Sequence, residues 1–308
     1  MEFDNIIQVS TYFSDKKVCK DYLAKLRWNN NPQCPHCQHD KCYKMKYNYK
    51  CSKCRKQFSE TKGTIFENSA IPLQKWFVAI WLFTSHKKGY ASTQLAKDLG
   101  ITQKSAWFML QRIRYAMETK TFEKGGDKLD GIVQVDETYV GGDISKMNFK
   151  SRARFKGKDV KGTSQKTPVV GMITKDEVRT IKMDKVTKKA LKEVMKKEIN
   201  DGAIVVTDSF KGYKWAIDHF KKHESVSHGT GEYVNIRGYH TNSIEGFWSI
   251  FKRGVYGIYH HVSKKHLNKY LDEFEYRYNN RHSSEFIRFE NFMSRCNVRL
   301  TYEGLISA

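Results

Sequence analysis

Four cysteines stand as two knuckles, Cys34-Pro35-His36-Cys37 and Cys51-Ser52-Lys53-Cys54, with thirteen residues between them. Each knuckle offers two thiolates from one tight turn, and a hairpin between the knuckles closes a tetrahedron around Zn(II). Buried reduced cysteines or a redox C-x-x-C motif would account for one pair but not for two. His36, His39 and Cys42 are alternative ligands nearby. Between the knuckles Tyr43, Met45, Tyr47 and Tyr49 recur at every second residue, with Lys44, Lys46 and Asn48 between them, a period that predicts a ribbon. Cys19, Cys42 and Cys296 bring the total to seven, and an odd number without a secretion signal argues against a disulfide framework. One structural Zn(II) in a zinc ribbon is expected.

The charge narrows the partner. Lys and Arg number 55 against 33 Asp and Glu, a formal net charge of +22 over 308 residues. Phosphates release counterions when Lys and Arg replace them, so a polyanion is the leading partner, although charge alone does not separate DNA from RNA or a membrane. The longest apolar run, Trp76 to Phe83, is far short of the roughly 20 residues that cross a bilayer. Met1-Glu2-Phe3-Asp4 opens without the basic patch of a secretory signal. A cytoplasmic, nucleoid-associated protein is expected, with no membrane partner.

After the cysteines, Trp76, Phe77, Ile80, Trp81 and Thr84 recur at helical spacing and predict a core helix. Ser92 to Thr102 then reads as a helix-turn-helix: Ser92 as the first cap, Gly100 for the left-handed turn, and Thr102 capping a second helix from Gln103 to about Met117. Ala106, Leu110, Ile113 and Ala116 or Met117 would face inward, leaving Gln103, Lys104, Gln111, Arg112 and Arg114 for a DNA groove. An ordinary helical hairpin has the same pattern. The zinc ribbon and the charge favour DNA.

From residue 131 the period changes. Residues 131–140 read as a strand, 169–174 and 178–183 as a hairpin, 187–199 as an amphipathic helix, and 203–208 as a strand buried on both faces. Helices are expected around 215–220, 243–252 and 264–279. Eight Lys or Arg against two Asp between Asp143 and Pro168 mark a basic loop. Hairpin strands followed by alternating helix and strand predict an α/β domain with a mixed sheet.

Three carboxylates could carry chemistry there: Asp136 on the first strand, Asp208 ending the buried one, and Glu245 in the first turn of a helix. Two Mg(II) ions about 3.5–4 Å apart need hard oxygen ligands from several elements, and one aspartate between the ions with a carboxylate on each flank meets that need. Each acid also has a plainer role. Asp136 could be a strand-end acid with Glu137 as the functional neighbour, Asp208 could cap the next helix, and Asn242 to Glu245 could be a capping pair. Along the last helix, Ile244, Phe247, Trp248 and Phe251 form a core stripe, while Lys252 lies two turns from Glu245 on its side, roughly 10 Å away. His240, His260 and His261 flank this helix and read as loop or packing residues.

The order CPHC, CSKC, helix-turn-helix, VDETYVGG, VVTDSF and HTNSIEGFWSIFKRG resembles the ISXO-like bacterial insertion-sequence transposases, from about residue 20 to residue 285. The resemblance implies an α/β RNase H-like catalytic domain with a mixed sheet, preceded by a zinc ribbon and a helical helix-turn-helix region. It implies domains over 1–60, 61–125 and 126–285, with a C-terminal extension over 286–308. It makes Asp136, Asp208 and Glu245 the Mg(II)-binding triad of a DDE transposase, with Lys252 the accompanying lysine and Mn(II) a substitute ion. Family members vary at the third acid, and Asn242 lies close to Glu245. The implied activity is strand cleavage at the inverted-repeat ends of an element, then strand transfer into target DNA by the released 3′-hydroxyl, without a covalent protein–DNA intermediate. Lys150, Arg152, Arg154 and Lys156 of the basic loop, with Lys252 and Arg253, would grip phosphates, and two ends would require at least a homodimer in the DNA complex. The alternatives are a non-catalytic DNA-binding regulator derived from a transposase, and an RNase H-like nuclease or resolvase.

Overall fold

The computed structural model describes residues 2–29, 31–118, 127–141, 149, 166–227, 234–235 and 237–307. The chain divides into two compact units, Met1–Glu118 with Asn280–Ala308, and Thr119–Asn279. The zinc ribbon, the helical region and the C-terminal residues therefore share one unit, where the sequence implied three segments.

In the first unit two helices, α1 (Ile6–Tyr12) and α2 (Lys16–Trp28), precede a ribbon of β1 (Cys42–Lys44), β2 (Tyr49–Cys51) and β3 (Gln57–Phe58), paired antiparallel in the order β1-β2-β3. The expected core helix is α3 (Leu73–Ser85), buried at Trp76, Phe77, Ile80, Trp81 and Phe83. The helix-turn-helix follows as α4 (Ser92–Leu99) and α5 (Gln103–Met117). Gly100 takes the left-handed turn at φ 57°, and the Thr102 side chain accepts from the Ser105 N–H. Ser92 is the first helical residue, not the cap; Ala91 holds that position.

The second unit holds β4 (Ile132–Val140), β5 (Thr167–Ile173), β6 (Val178–Lys182), α6 (Lys188–Glu198), β7 (Ile204–Asp208), a 3-10 helix (Lys211–Asp218), β8 (Lys222–Val226), α7 (Asn242–Gly254) and α8 (Leu267–Asn279). The sheet order is β6-β5-β4-β7-β8. β4, β5 and β6 pair antiparallel; β4, β7 and β8 pair parallel. In the unit's own numbering that order is 3-2-1-4-5, the mixed sheet of an RNase H-like fold. One face buries Val133, Val135, Val170, Met172 and Val205 with Leu191 and Met195 of α6. The other buries Val169, Ile173 and Val178 with Ile244, Phe247, Trp248 and Phe251 of α7.

Edge strand β6 would expose unpaired backbone, but α8 covers it. Buried Glu275 accepts the Thr180 N–H at 2.6 Å, and one turn along Asn279 exchanges both its amide groups with Val178 at 2.8 and 3.1 Å.

The chain then returns to the first unit as α9 (Glu285–Met293) and α10 (Tyr302–Ser307). Phe289 packs 5.9 Å from Trp81 and 6.3 Å from Phe13, ring centre to ring centre, so α9 contributes to the aromatic core of the N-terminal unit. The sequence division at 285 and 286 does not register this contact, whose partners lie more than 200 residues back in the chain.

Candidate active site and metal centre

Strand register decides which side of the sheet each acid faces. Asp136 on β4 is paired with Gly171 on β5. A Cβ on Gly171 would stand 2.5 Å from Trp248 Cζ2 and 2.8 Å from Ile244 Cδ1, so the Asp136–Gly171 pair lies on the face that α7 covers. On the other side of β4, Gln134 pairs with Val206 and Val135 with Thr207, in parallel. Asp136 and Asp208 are the next residues on their strands and share the face of Gln134. Glu245 sits in the first turn of α7, on that face.

The electrostatics record the convergence. Asp136 is raised to about 7, first by burial and then by the neighbouring charges of Glu137, Asp208 and Glu245. Asp136, Asp208 and Glu245 are all carboxylates, so a cation would relieve their mutual repulsion. Among the described residues, however, their oxygens do not form a set within 4.8 Å of one another. Acids flanking two separate ions need not meet so closely. The donor set, hard oxygens from two strands and a helix, suits Mg(II) or Mn(II).

The plainer roles can be weighed against these contacts. Glu137 faces the opposite side of the sheet, where it accepts the Tyr213 hydroxyl at 2.6 Å. Burial raises its pKa, the Tyr213 bond opposes that, and Asp208 adds to it. Asp208 Oδ1 accepts the Phe210 N–H at 3.0 Å, a local turn ahead of the 3-10 helix, which has no side-chain cap. The N-cap of α7 is Thr241, not Asn242, and it makes no side-chain cap bond; its hydroxyl donates instead to Glu245 Oε1 at 3.0 Å. Lys252 and Arg253 lie exposed in the last turn of α7, and the Arg253 Nε donates to the Ser249 carbonyl at 3.2 Å.

In the first unit, Cys34, Cys37, Cys51 and Cys54 place their sulfurs within 4.8 Å of one another, with Cys34–Cys54 and Cys37–Cys51 at 3.6 Å. A Zn–S bond of about 2.3 Å in a tetrahedron requires sulfurs about 3.8 Å apart, so the set fits Zn(II). His36, His39 and Cys42 stand outside it; the Cys42 thiol, raised to about 11 chiefly by burial, faces the His39 carbonyl at 3.6 Å. Of the alternating residues, Tyr49 is buried in the ribbon's interior and the other three are not. Tyr43, Met45 and Tyr47 are exposed because β1 ends at Lys44 and a turn, with Met45 N–H donating to the Asn48 carbonyl, replaces the extended strand. The interior comes from Trp28, Tyr49, Phe58 and the cysteines.

The groove-facing set on α5 is divided. Gln103 and Lys104 are exposed, Gln103 also donating to Ser92 Oγ at 2.9 Å. Gln111, Arg112 and Arg114 are buried, against the sequence expectation. The Arg112 guanidinium donates to the carbonyls of Leu300, Ile65 and Glu67 at 2.9–3.1 Å, and Arg114 lies 5.2 Å from the Phe83 ring centre. The later half of α5 is enclosed on nearly all sides, so its polar residues serve backbone and ring acceptors within the unit. Lys150, Arg152, Arg154 and Lys156 fall outside the described residues.

Sequence reasoning passed over two further residues here. Gln134 is buried on the Asp136 face and bonds the start of α7. Its signal was a polar residue two positions before Asp136, inside an apolar strand. Tyr213 is fully buried against Glu137, five residues after Asp208, and only that spacing marked it.

Residues 128–279 match the model of the ISXO2-like transposase domain, and residues 14–57 match the transposase zinc-ribbon domain. The chain is 27% identical over 284 residues to an uncharacterized protein in transposable element ISH50 of Halobacterium salinarum, covering 88% of this chain and 93% of that one. It is also 28% identical over 106 residues to an uncharacterized transposase-like protein of Haemophilus influenzae, covering 34% and 84%. Among solved structures, the Mos1 strand transfer complex is similar over 72% of this chain and 74% of that one, at 12% identity and a TM-score of 0.28. The chain thus carries an ISXO2-like transposase domain over residues 128–279, behind a transposase zinc ribbon over residues 14–57.

Proposed function

We propose that this protein is a DNA transposase that binds the terminal inverted repeats of an insertion sequence and cuts and rejoins DNA by divalent-metal-dependent phosphoryl transfer in the cytoplasm. The observation that carries this reading is the gathering of Asp136, Asp208 and Glu245 on one face of the sheet, where burial and like charge raise Asp136 to about 7. Asp136 would share both metal positions, with Asp208 and Glu245 each completing one. Two Mg(II) ions there would activate the attacking oxygen and neutralise the leaving one. Lys252 and Arg253, exposed two turns from Glu245, would hold the next phosphate of the strand.

Binding of the ends would fall to the first unit. Zn(II) on the four cysteines would fix the ribbon, while Gln103 and Lys104 at the start of α5 would reach a groove. The basic loop with Lys150, Arg152, Arg154 and Lys156 would contact phosphates. Acting on two ends together requires at least a dimer in the complex.

The test is a strand-transfer assay on duplexes carrying an element end, with Mg(II) or with chelator. The wild type should nick and join, and Asp208→Asn should lose at least roughly 100-fold, the upper range for disturbing even a ligand's supports. Cutting without joining would mark a nuclease or resolvase; end binding with neither would mark a regulator.

A further inference from the structure

Helix α7 carries Glu245 four residues after an N-cap that makes no side-chain cap bond. The N–H groups of the first turn have no partner within a helix, and the capping side chain ordinarily supplies their acceptor. Here it comes from another element. Gln134 Oε1, on β4, accepts the N–H of Ser243 at 3.0 Å and of Ile244 at 3.2 Å. These are the second and third helical residues, the donors that a cap would satisfy. The Glu245 N–H then makes the first bond of the helix proper, to the Thr241 carbonyl at 3.1 Å.

The other end of the amide fixes its orientation. With Oε1 taken by two N–H donors, Nε2 faces Ser243 Oγ at 3.3 Å and His240 Nδ1 at 3.4 Å, both able to accept. Gln134 is 8% exposed. It lies two residues before Asp136 on one rigid strand and one face, about 6.7 Å away at the usual rise.

Resting on the metal-site reading above, we infer that Gln134 is a positioning residue: by capping α7 from strand β4 it sets the distance between Glu245 and Asp136. Strand and helix arrive at the site from sequence positions more than 100 residues apart, and this amide is a direct polar link between the first turn of one and the other. A side chain of equal size without an acceptor would leave two N–H groups unmatched, one part-buried and one buried, and the helix start would shift to find water or another acceptor. Glu245 would move with it while Asp136 stayed on the sheet.

The test is Mn(II) binding to the full-length, zinc-loaded protein, measured by electron paramagnetic resonance and calorimetry without DNA. Gln134→Leu should weaken Mn(II) binding by roughly 10–100-fold, the range for outer residues that orient metal ligands. Gln134→Glu keeps an acceptor oxygen for the two N–H groups and should not weaken it. If Gln134→Leu does not fold, Gln134→Asn, an amide one methylene too short, takes its place under the same criteria. Unchanged Mn(II) affinity in the acceptor-less variant, or equal loss in Gln134→Glu, overturns the positioning role. Wild-type protein that binds Mn(II) but neither cuts nor joins DNA removes the transposase reading and leaves the link intact; wild type that binds no Mn(II) removes both.

Discussion

Gly171 lies beneath Trp248 so closely that a Cβ would meet the indole Cζ2 at 2.5 Å. The contact seats α7 on the sheet beside Asp136, the register partner of Gly171. Gly171→Ala should therefore force helix and sheet apart, costing about 1–3 kcal/mol as overpacking does. Thermal melting should show the loss, and DNA cleavage should fall further than stability alone accounts for, because Glu245 rides on the displaced helix. An alanine variant with wild-type melting and cleavage would show that the helix adapts without moving the acid.

The two ends of α5 should respond differently to substitution. Arg112→Met strips three backbone carbonyls of their donor and should destabilise the protein by about 2–4 kcal/mol. Lys104→Ala, on the exposed first turn, should leave stability within about 0.5 kcal/mol. It should weaken end-DNA binding and lower the salt slope by about 1. Titrations at several salt concentrations, with melting curves, check both. A Lys104→Ala protein with unaltered salt slope would take α5 off the DNA.

Much of this was legible in the sequence, because metal knuckles, a buried β-strand ending in Asp208 and an amphipathic helix around Glu245 each leave a local period. What was missed depended on partners far along the chain. Strand β8 reads as polar, Lys-His-Glu-Ser-Val, because its buried Glu224 is matched by Lys222 and Arg237 at 2.9 and 2.7 Å. Arg112 and Arg114 look like surface residues until Leu300 and Phe83 come beside them. Tyr43, Met45 and Tyr47 have the period of a buried strand face, but three-residue strands leave them outside. The common face of the three acids needed the register of β4 with β5 and β7, which no local pattern records.

Asp136 sets a pH dependence whose sign follows from its raised pKa. Below about pH 4 the carboxyl is protonated in folded and unfolded chains alike and affects nothing. Between there and about 7 the folded chain keeps a proton that the unfolded chain has lost, so metal-free stability falls as pH rises, and the deficit is complete above 7. Asp136→Asn should therefore be more stable than wild type at pH 8 without metal, with the gap closing toward pH 4. Melting curves in chelator across that range check it; a gap that is constant with pH would mean that Asp136 ionises as a solvated acid.

The central claim is a shared divalent-metal site, and the most direct measurement is anomalous scattering from crystals grown with DNA ends and Mn(II). The account predicts two Mn(II) peaks about 3.5–4 Å apart, Asp136 touching both, with Asp208 on one and Glu245 on the other. Saturating Mn(II) that leaves Asp136 without a metal contact, or that binds only at sites remote from these three acids, would contradict it.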